Sequence, residues 1–199
     1  MESFSLTLKN SHRMESGMSK IAIFMVNGCE EIEGLTVVDN CRRVGIEIDM
    51  VSITDSKTVA GAHGISFEAD KTIADMNLSD YDGVVLPGGM PGTLNLGACD
   101  DVVLAIKQCA AEGKLVAAIC AAPSVLGDNH ILEGKKATCY PGFEERLIGA
   151  TCTTDAVAVD GNVITSRGMG TAIEFSLAII EYFMDKAAAD KLANGIIYR

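Results

Sequence analysis

Three short segments constrain this chain more than anything else in it: KIAIFMV (20–26), GVVLPGG (83–89) and KLVAAIC (114–120). Each is apolar at almost every position until it breaks into small residues or glycine, with none of the alternation of a strand wetted on one side. Strands of this kind are buried on both faces, so helices must lie above and below the sheet they form. The intervening sequence supplies them. After NGCEE, the stretch IEGLTVVDNCRRVG places Ile32, Leu35, Val38 and Cys41 at helical spacing and reaches a stop at Gly45. A second strand, IEIDMVSI, follows, and helices are predicted through DDVVLAIKQCAAEG and from near Ala121. TVAGAHGISFEAD alternates and carries glycines, which predicts a small hairpin or irregular strand pair at the sheet's edge. ATCY, CTTDAVAV and NVITS read as further strands with a hairpin at DGN, and TAIEFSLAIIEYFMDKAAADKLANG as one or two closing helices. Strand alternating with helix predicts an α/β fold with a mostly parallel central sheet, a single domain over residues 20–199.

Residues 1–19 are polar, lack a signal-peptide apolar core and contain Met14 and Met18. They are expected to lie outside the fold, as an over-long start, an expression remnant or a disordered extension. No apolar run reaches the length of a membrane span, and none is expected. With 27 acidic residues against 16 basic ones the net charge is −11. That field repels phosphate backbones, which argues against general nucleic-acid binding. The seven cysteines show neither CxxC nor Cys/His spacing, so no disulfide framework and no metal site is expected, and a reducing cytoplasm fits best.

In a parallel sheet the chemistry collects at the carboxyl ends of the strands. Three joints fall at that edge: NGCEEIE, PGGMPG and CAAPS. Cys120, at a strand-to-helix turn eased by Ala121 and Ala122, is placed like a nucleophile elbow. Facing a helix N-terminus, its sulfur would meet N–H donors that favour thiolate. The alternative is a buried strand-end cysteine. Glu30 and Glu31 read as first-turn acids complementing the helix dipole, whereas Glu33 can aim inwards. A carboxylate beside a thiolate is tolerable only if the two share one proton. Gly88 and Gly89 can bring backbone N–H groups to an oxyanion.

The segments GCEEIE, VVDNCRRVGI, YDGVVLPGGMPG, AAICAAPSVL and TSRGMGTAIEFSLAIIE, in that order, resemble the ThiJ/PfpI superfamily, in the branch of the parkinsonism-associated protein (DJ-1-like). The resemblance covers residues 20 to 197. It implies a flavodoxin-like three-layer sandwich, a homodimer, and cofactor-free action on small 2-oxoaldehydes. The implied reactions are glyoxalase III-type conversion of methylglyoxal to lactate, or deglycase action on early glycation adducts. Stress-protective and chaperone roles are also implied. It assigns Cys120 as nucleophile and redox-sensitive thiol, Glu33 as its hydrogen-bonding partner, and Gly88, Gly89 and Ala121 as the oxyanion-side backbone. Tyr140, Cys29, His63 and Pro141 are expected at the pocket.

The chain departs from the resemblance at Tyr140 in TCYPG, where many relatives carry histidine. A phenol holds its proton far more tightly than an imidazole near neutral pH. Tyr140 therefore either donates a hydrogen bond or only lines the pocket. His63 matches a position that is basic in relatives near the partner subunit's pocket, or is a plain turn residue. Ala121 stands where protease-like relatives have histidine, which argues against peptidase activity, and a Cys-His pair for amidotransfer cannot be assembled. Two further readings compete with the enzyme: a redox sensor acting through oxidation of Cys120, and a chaperone-like binder.

Overall fold

Strand β1 (Lys20–Met25) lies in the interior of the sheet because nothing in it after Lys20 suits a surface: Ile21, Ala22, Ile23, Phe24 and Met25 are all fully buried. The computed structural model describes residues 19–198, so the extension expected at 1–19 lies outside the described residues except for Ser19. After β1 come α1 (Glu31–Val44), β2 (Glu47–Ser52), the short strands β3 (Thr58–Ala60) and β4 (Ser66–Glu68), and β5 (Lys71–Thr72). Next are β6 (Gly83–Leu86), α2 (Gly92–Ala98), α3 (Asp100–Ala111), β7 (Leu115–Ile119) and α4 (Pro123–Asp128). The chain ends with β8 (Lys136–Ala137), β9 (Thr151–Cys152), β10 (Val157–Asp160), β11 (Val163–Ser166), α5 (Ala172–Phe183) and α6 (Lys186–Gly195).

The main sheet has seven strands in the order β10-β11-β7-β6-β1-β2-β5. All neighbours are parallel except β10 and β11, which form the antiparallel hairpin predicted at Asp160-Gly161-Asn162. Ile21 stands beside Ile48 of β2 on one side and Gly83 of β6 on the other. Helices α1, α5 and α6 pack together over one face, and α2, α3 and α4 cover the other. The buried Asn40 side chain donates to Ser176 Oγ at 2.7 Å and ties α1 to α5. Gly45 ends α1 in the left-handed region, φ 87°, as the sequence predicts.

Three local features differ from the sequence reading. The β3–β4 hairpin forms a separate two-stranded sheet, and the main edge is taken by β5, a two-residue strand too short to carry a pattern. β8 and β9 likewise pair with each other and not with the main sheet. Helix α2 was not foreseen: GTLNLGA has two glycines and little apolar periodicity, and it is held by burial of Thr93 and Leu96.

From β1 the chain passes to β2 on one side and later crosses to β6 on the other. This reversal opens a crevice beyond the carboxyl ends of β1 and β6, where ligands bind in open α/β sheets. Because β1 frames that crevice and is sealed on both faces, Ile23→Ala is expected to cost about 2–5 kcal/mol through lost burial and a cavity. Urea unfolding should show the midpoint falling while the slope stays constant.

Candidate active site

Cys120 directly follows β7 and adopts φ 65°, a left-handed backbone that a β-carbon disfavours by about 1–3 kcal/mol. The conformation is held from both sides. Its N–H donates to Ser166 O at 2.9 Å, and its carbonyl accepts from Tyr140 N–H at 2.8 Å. Ala122 N–H donates back to Ile119 O at 3.1 Å, and Ser124 Oγ to Ala121 O at 2.7 Å, closing the turn before Pro123 starts α4. The side chain is half-buried at the floor of a crevice, as an elbow requires, and is not sealed in the core.

Gly88, at the end of β6, packs against this elbow so closely that a β-carbon there would lie 2.6 Å from Cys120 Cβ and 2.7 Å from Glu33 Oε2. The space it leaves is filled by Glu33. That residue sits in the first turn of α1, only 1 % exposed, and its Oε2 accepts the Gly88 N–H at 2.9 Å. The Glu33 carboxyl hydrogen-bonds the Cys120 side chain. Its Oε1 is buried with no further hydrogen-bond partner. Gly88 therefore does not present its N–H to an oxyanion, because Glu33 already occupies it. The backbone donors directed at Cys120 are those of Ala121 and Gly89.

Burial pushes Glu33 up to about 7, against the opposing hydrogen bonds from Cys120 and Gly88. Burial, then the charge of Glu33 and the bond to it, push the Cys120 thiol up to about 12, against the opposing Ala121 and Gly89 N–H groups. The expectation that a helix N-terminus lowers this thiol is thus corrected: α4 spans only six residues, and desolvation beside an acid outweighs the local donors. Both shifts express one fact. The Cys120–Glu33 pair carries one negative charge far more readily than two, so as pH rises past about 7 it gives up one proton and retains the other.

The crevice is a cavity of about 650 Å³. Glu33, Gly89, Cys120, Ala121, Tyr140 and Pro141, all singled out in the sequence, line it. Cys29 does not: it is fully buried beneath the loop, and burial raises its pKa. His63 does not line it either. Its exposed imidazole lies 3.3 Å from Glu30 and 3.1 Å from Glu31. The two glutamates read as simple dipole acids have distinct tasks. Glu30 lines the cavity. Glu31 is buried and accepts from His63 N–H at 2.8 Å and His63 Nδ1 at 3.1 Å, pinning the β3–β4 hairpin to α1. Burial opposes its ionisation, yet these and neighbouring bonds hold it down at about 2. Among the described residues, Glu30, Glu31 and His63 bring donor atoms within 4.8 Å of one another and are the group that could hold a metal ion. Sequence reasoning missed Arg167, Phe143, Met169 and Thr171 as lining residues. The signal for Arg167, Met169 and Thr171 was SRGMGT at the carboxyl end of β11, the same sheet edge as the other joints.

A parallel sheet with a cysteine at a strained strand-to-helix turn, an inward glutamate from the first helix and a glycine packed between them defines a cysteine-elbow α/β protein. The chain belongs to the DJ-1/PfpI family, whose sequence profile matches residues 19–182. It is 37% identical over 191 residues to Protein DJ-1 homolog B of Arabidopsis thaliana, covering 95% of this chain and 44% of that protein. It is 35% identical over 183 residues to Protein dj-1beta of Drosophila melanogaster, covering 90% of this chain and 98% of that one. The chain spans about half the length of the Arabidopsis relatives it matches, 44% and 48%. Among solved structures, oxidized DJ-1 of Toxoplasma gondii superposes with a TM-score of 0.87 at 34% identity, covering 90% of this chain and 98% of that one. Drosophila melanogaster DJ-1beta does so with a TM-score of 0.85 at 33% identity, covering 91% and 98%. Among the described residues no helix is long and apolar enough to cross a membrane.

Glu33 binds its proton more tightly in the native state than at its ordinary value of 4.5, so the folded chain holds the extra proton between about 4.5 and about 7. Stability owed to this residue is therefore present below that window and declines as pH rises through it. Relative to Glu33→Gln, the wild type should lose about 3 kcal/mol between acidic and mildly basic pH, measured by urea unfolding at a series of pH values.

Proposed function

We propose that this protein is a cofactor-independent cysteine enzyme converting small 2-oxoaldehydes to 2-hydroxy acids, as in methylglyoxal to lactate. The observation that carries this reading is the close approach of Cys120 and Glu33 across Gly88 at the floor of an open cavity. With the proton on sulfur, the thiol can donate to the Glu33 carboxylate, which also accepts from Gly88 N–H. With the proton on Glu33, the carboxyl can donate to the sulfur, and the thiolate also faces the Gly89 and Ala121 N–H groups. The second arrangement, reached from the first by one proton transfer from sulfur to the carboxylate, produces the nucleophile.

The thiolate attacks the aldehyde carbon and forms a C–S bond, and the carbonyl oxygen takes the negative charge. Sulfur becomes neutral at that moment, which frees the Gly89 and Ala121 N–H groups to stabilise the new oxyanion. The oxyanion takes up the Glu33 proton, leaving a hemithioacetal and a carboxylate. Glu33 then removes the proton from the former aldehyde carbon and returns it to the adjacent carbon through an enediol. The result is a thioester of the 2-hydroxy acid. One water hydrolyses it, releasing the acid and restoring the thiol, so aldehyde plus water gives acid with no external oxidant. In this reading Tyr140, about half exposed at the rim, donates to the ketone oxygen during the shift. Action on glycation adducts would use the same nucleophile. A homodimer in the cytoplasm is part of the same reading, supported by the resemblance.

Methylglyoxal consumption and lactate formation without glutathione should be seen in the wild type and should fall at least about 100-fold in Cys120→Ala and Glu33→Gln. Wild-type turnover no greater than that of Cys120→Ala ends this reading. Tyr140→Phe should lose less than either, by about 10-fold, the worth of one hydrogen bond to a developing charge.

A redox role for the same thiol is favoured by its position. Cys120 reaches the cavity, whereas Cys41 and Cys109 are fully buried. A sulfinate at Cys120 would accept the Glu33 proton and the same N–H donors. Mild peroxide followed by peptide mass spectrometry should show Cys120 oxidised ahead of both, and equal oxidation of the three removes the redox role.

A further inference from the structure

The charged groups around the cavity are unevenly matched. Glu33 is bonded to Gly88 and Cys120, and Glu30 lies 3.3 Å from the His63 imidazole. Across the described chain, Arg42 pairs with Asp70 and Arg43 with Asp39, each at 2.6 Å, and Arg146 pairs with Asp128. Arg167, which lines the cavity, is the one arginine among the described residues whose guanidinium has no ion pair or side-chain hydrogen bond. Its backbone is fixed by N–H donation to Ala156 O at 3.1 Å, just beyond β11. It acts on Glu144 and Cys139 only at longer range, and the Glu144 carboxylate is already bonded to Gly142 N–H. In a chain of net charge −11, carboxylates to pair with are plentiful, so an arginine left without one inside a cavity is informative. Met90, Phe143 and Met169 also line the cavity and lower the local polarity, which strengthens any charge pair formed there.

We infer that Arg167 is a specificity-determining residue, and that the preferred substrates are small oxo compounds carrying a carboxylate. The guanidinium fork matches a carboxylate with two parallel N–H···O bonds. One unmatched cation neutralises one such charge, and a doubly charged group would leave an excess beside Glu30 and Glu33. With the carboxylate held at Arg167, the carbonyl end of the same molecule can reach Cys120, which lines the same cavity. The substrate part of this inference rests on the aldehyde reading above. The binding part does not.

Alkylation of Cys120 by iodoacetate and by iodoacetamide, nearly equal in size and differing in charge, tests the binding part without turnover. Peptide mass spectrometry reads the two rates, with the exposed Cys152 as internal control. At Cys152 the negative chain should make iodoacetate the slower reagent. At Cys120 the ratio of iodoacetate to iodoacetamide rates should be about 10-fold higher than at Cys152, the worth of a charge-assisted bond. Arg167→Gln should abolish that excess, Arg167→Lys should keep part of it, and the iodoacetamide rate should stay within about twofold. An unchanged ratio in Arg167→Gln, or equal slowing of both reagents, overturns the inference, the latter because Arg167 would then act on the thiolate itself.

Turnover supplies the second arm. 4,5-Dioxovalerate, which becomes 2-hydroxyglutarate by the same shift plus one water, should exceed the neutral 2-oxopentanal by about 10-fold in kcat/KM, mainly through KM. Arg167→Gln should equalise the two. If the wild type already turns both over equally, the substrate part fails. If no 2-oxoaldehyde is consumed, the aldehyde reading and with it the substrate part fail, and the alkylation ratio still decides whether Arg167 holds anions in this cavity.

Discussion

The close approach of the β6 end to the β7 elbow is the constraint on which the site depends. Gly88 has no β-carbon, so Cys120 and Glu33 can meet across it, and its N–H fixes one oxygen of the carboxyl. Cys120 must then turn through a left-handed conformation to reach the cavity, and backbone bonds to Ser166 and Tyr140 hold it there. Five separate parts of the chain, at Glu33, Gly88, Cys120, Tyr140 and Ser166, thus cooperate to keep one sulfur beside one carboxyl. Such strain persists only where the surroundings over-determine it.

The pairing governs the electrostatics. An isolated buried carboxyl or thiol would simply stay neutral, because desolvation disfavours both anions. Brought together, they resist a second charge, so once one proton has left the remaining one can move between oxygen and sulfur. That mobility suits nucleophilic attack followed by proton transfer between adjacent carbons, since one acid then serves both steps. It also explains why Glu31, two residues away on the same helix turn, behaves so differently. Its carboxylate faces several N–H donors and His63, so it remains ionised and acts as a structural clasp. Two scarcely exposed glutamates therefore take opposite roles, decided by how deeply each carboxyl is desolvated and by the donors it meets.

Much of the architecture could be read from the residues. The apolar runs 20–26, 83–89 and 114–120 became β1, β6 and β7, and the DGN turn became the β10–β11 hairpin. The cysteine elbow and Glu33 were also legible, since both stand at joints that a parallel sheet brings to one edge. Short elements were not. β5 is two residues long, and α2 follows tertiary burial more than propensity, so neither carries a period. At the site, Cys29 was misplaced because a residue next to a loop in sequence can lie beneath it in space. Arg167 escaped notice because nothing in SRGMGT says that this arginine lacks a carboxylate.

The sequence by itself determined the sheet, its burial on both faces and the edge at which polar and reactive groups gather, because these follow from periodicity and from the direction of parallel strands. Only the tertiary structure decided which groups meet there. It gave the Gly88 N–H to Glu33 and not to an oxyanion, drew His63 into a clasp with Glu30 and Glu31, and left the Arg167 charge unpaired. Hydrogen bonds and charge pairs act over a few ångströms between residues far apart in the chain, and no local pattern of residues encodes that proximity.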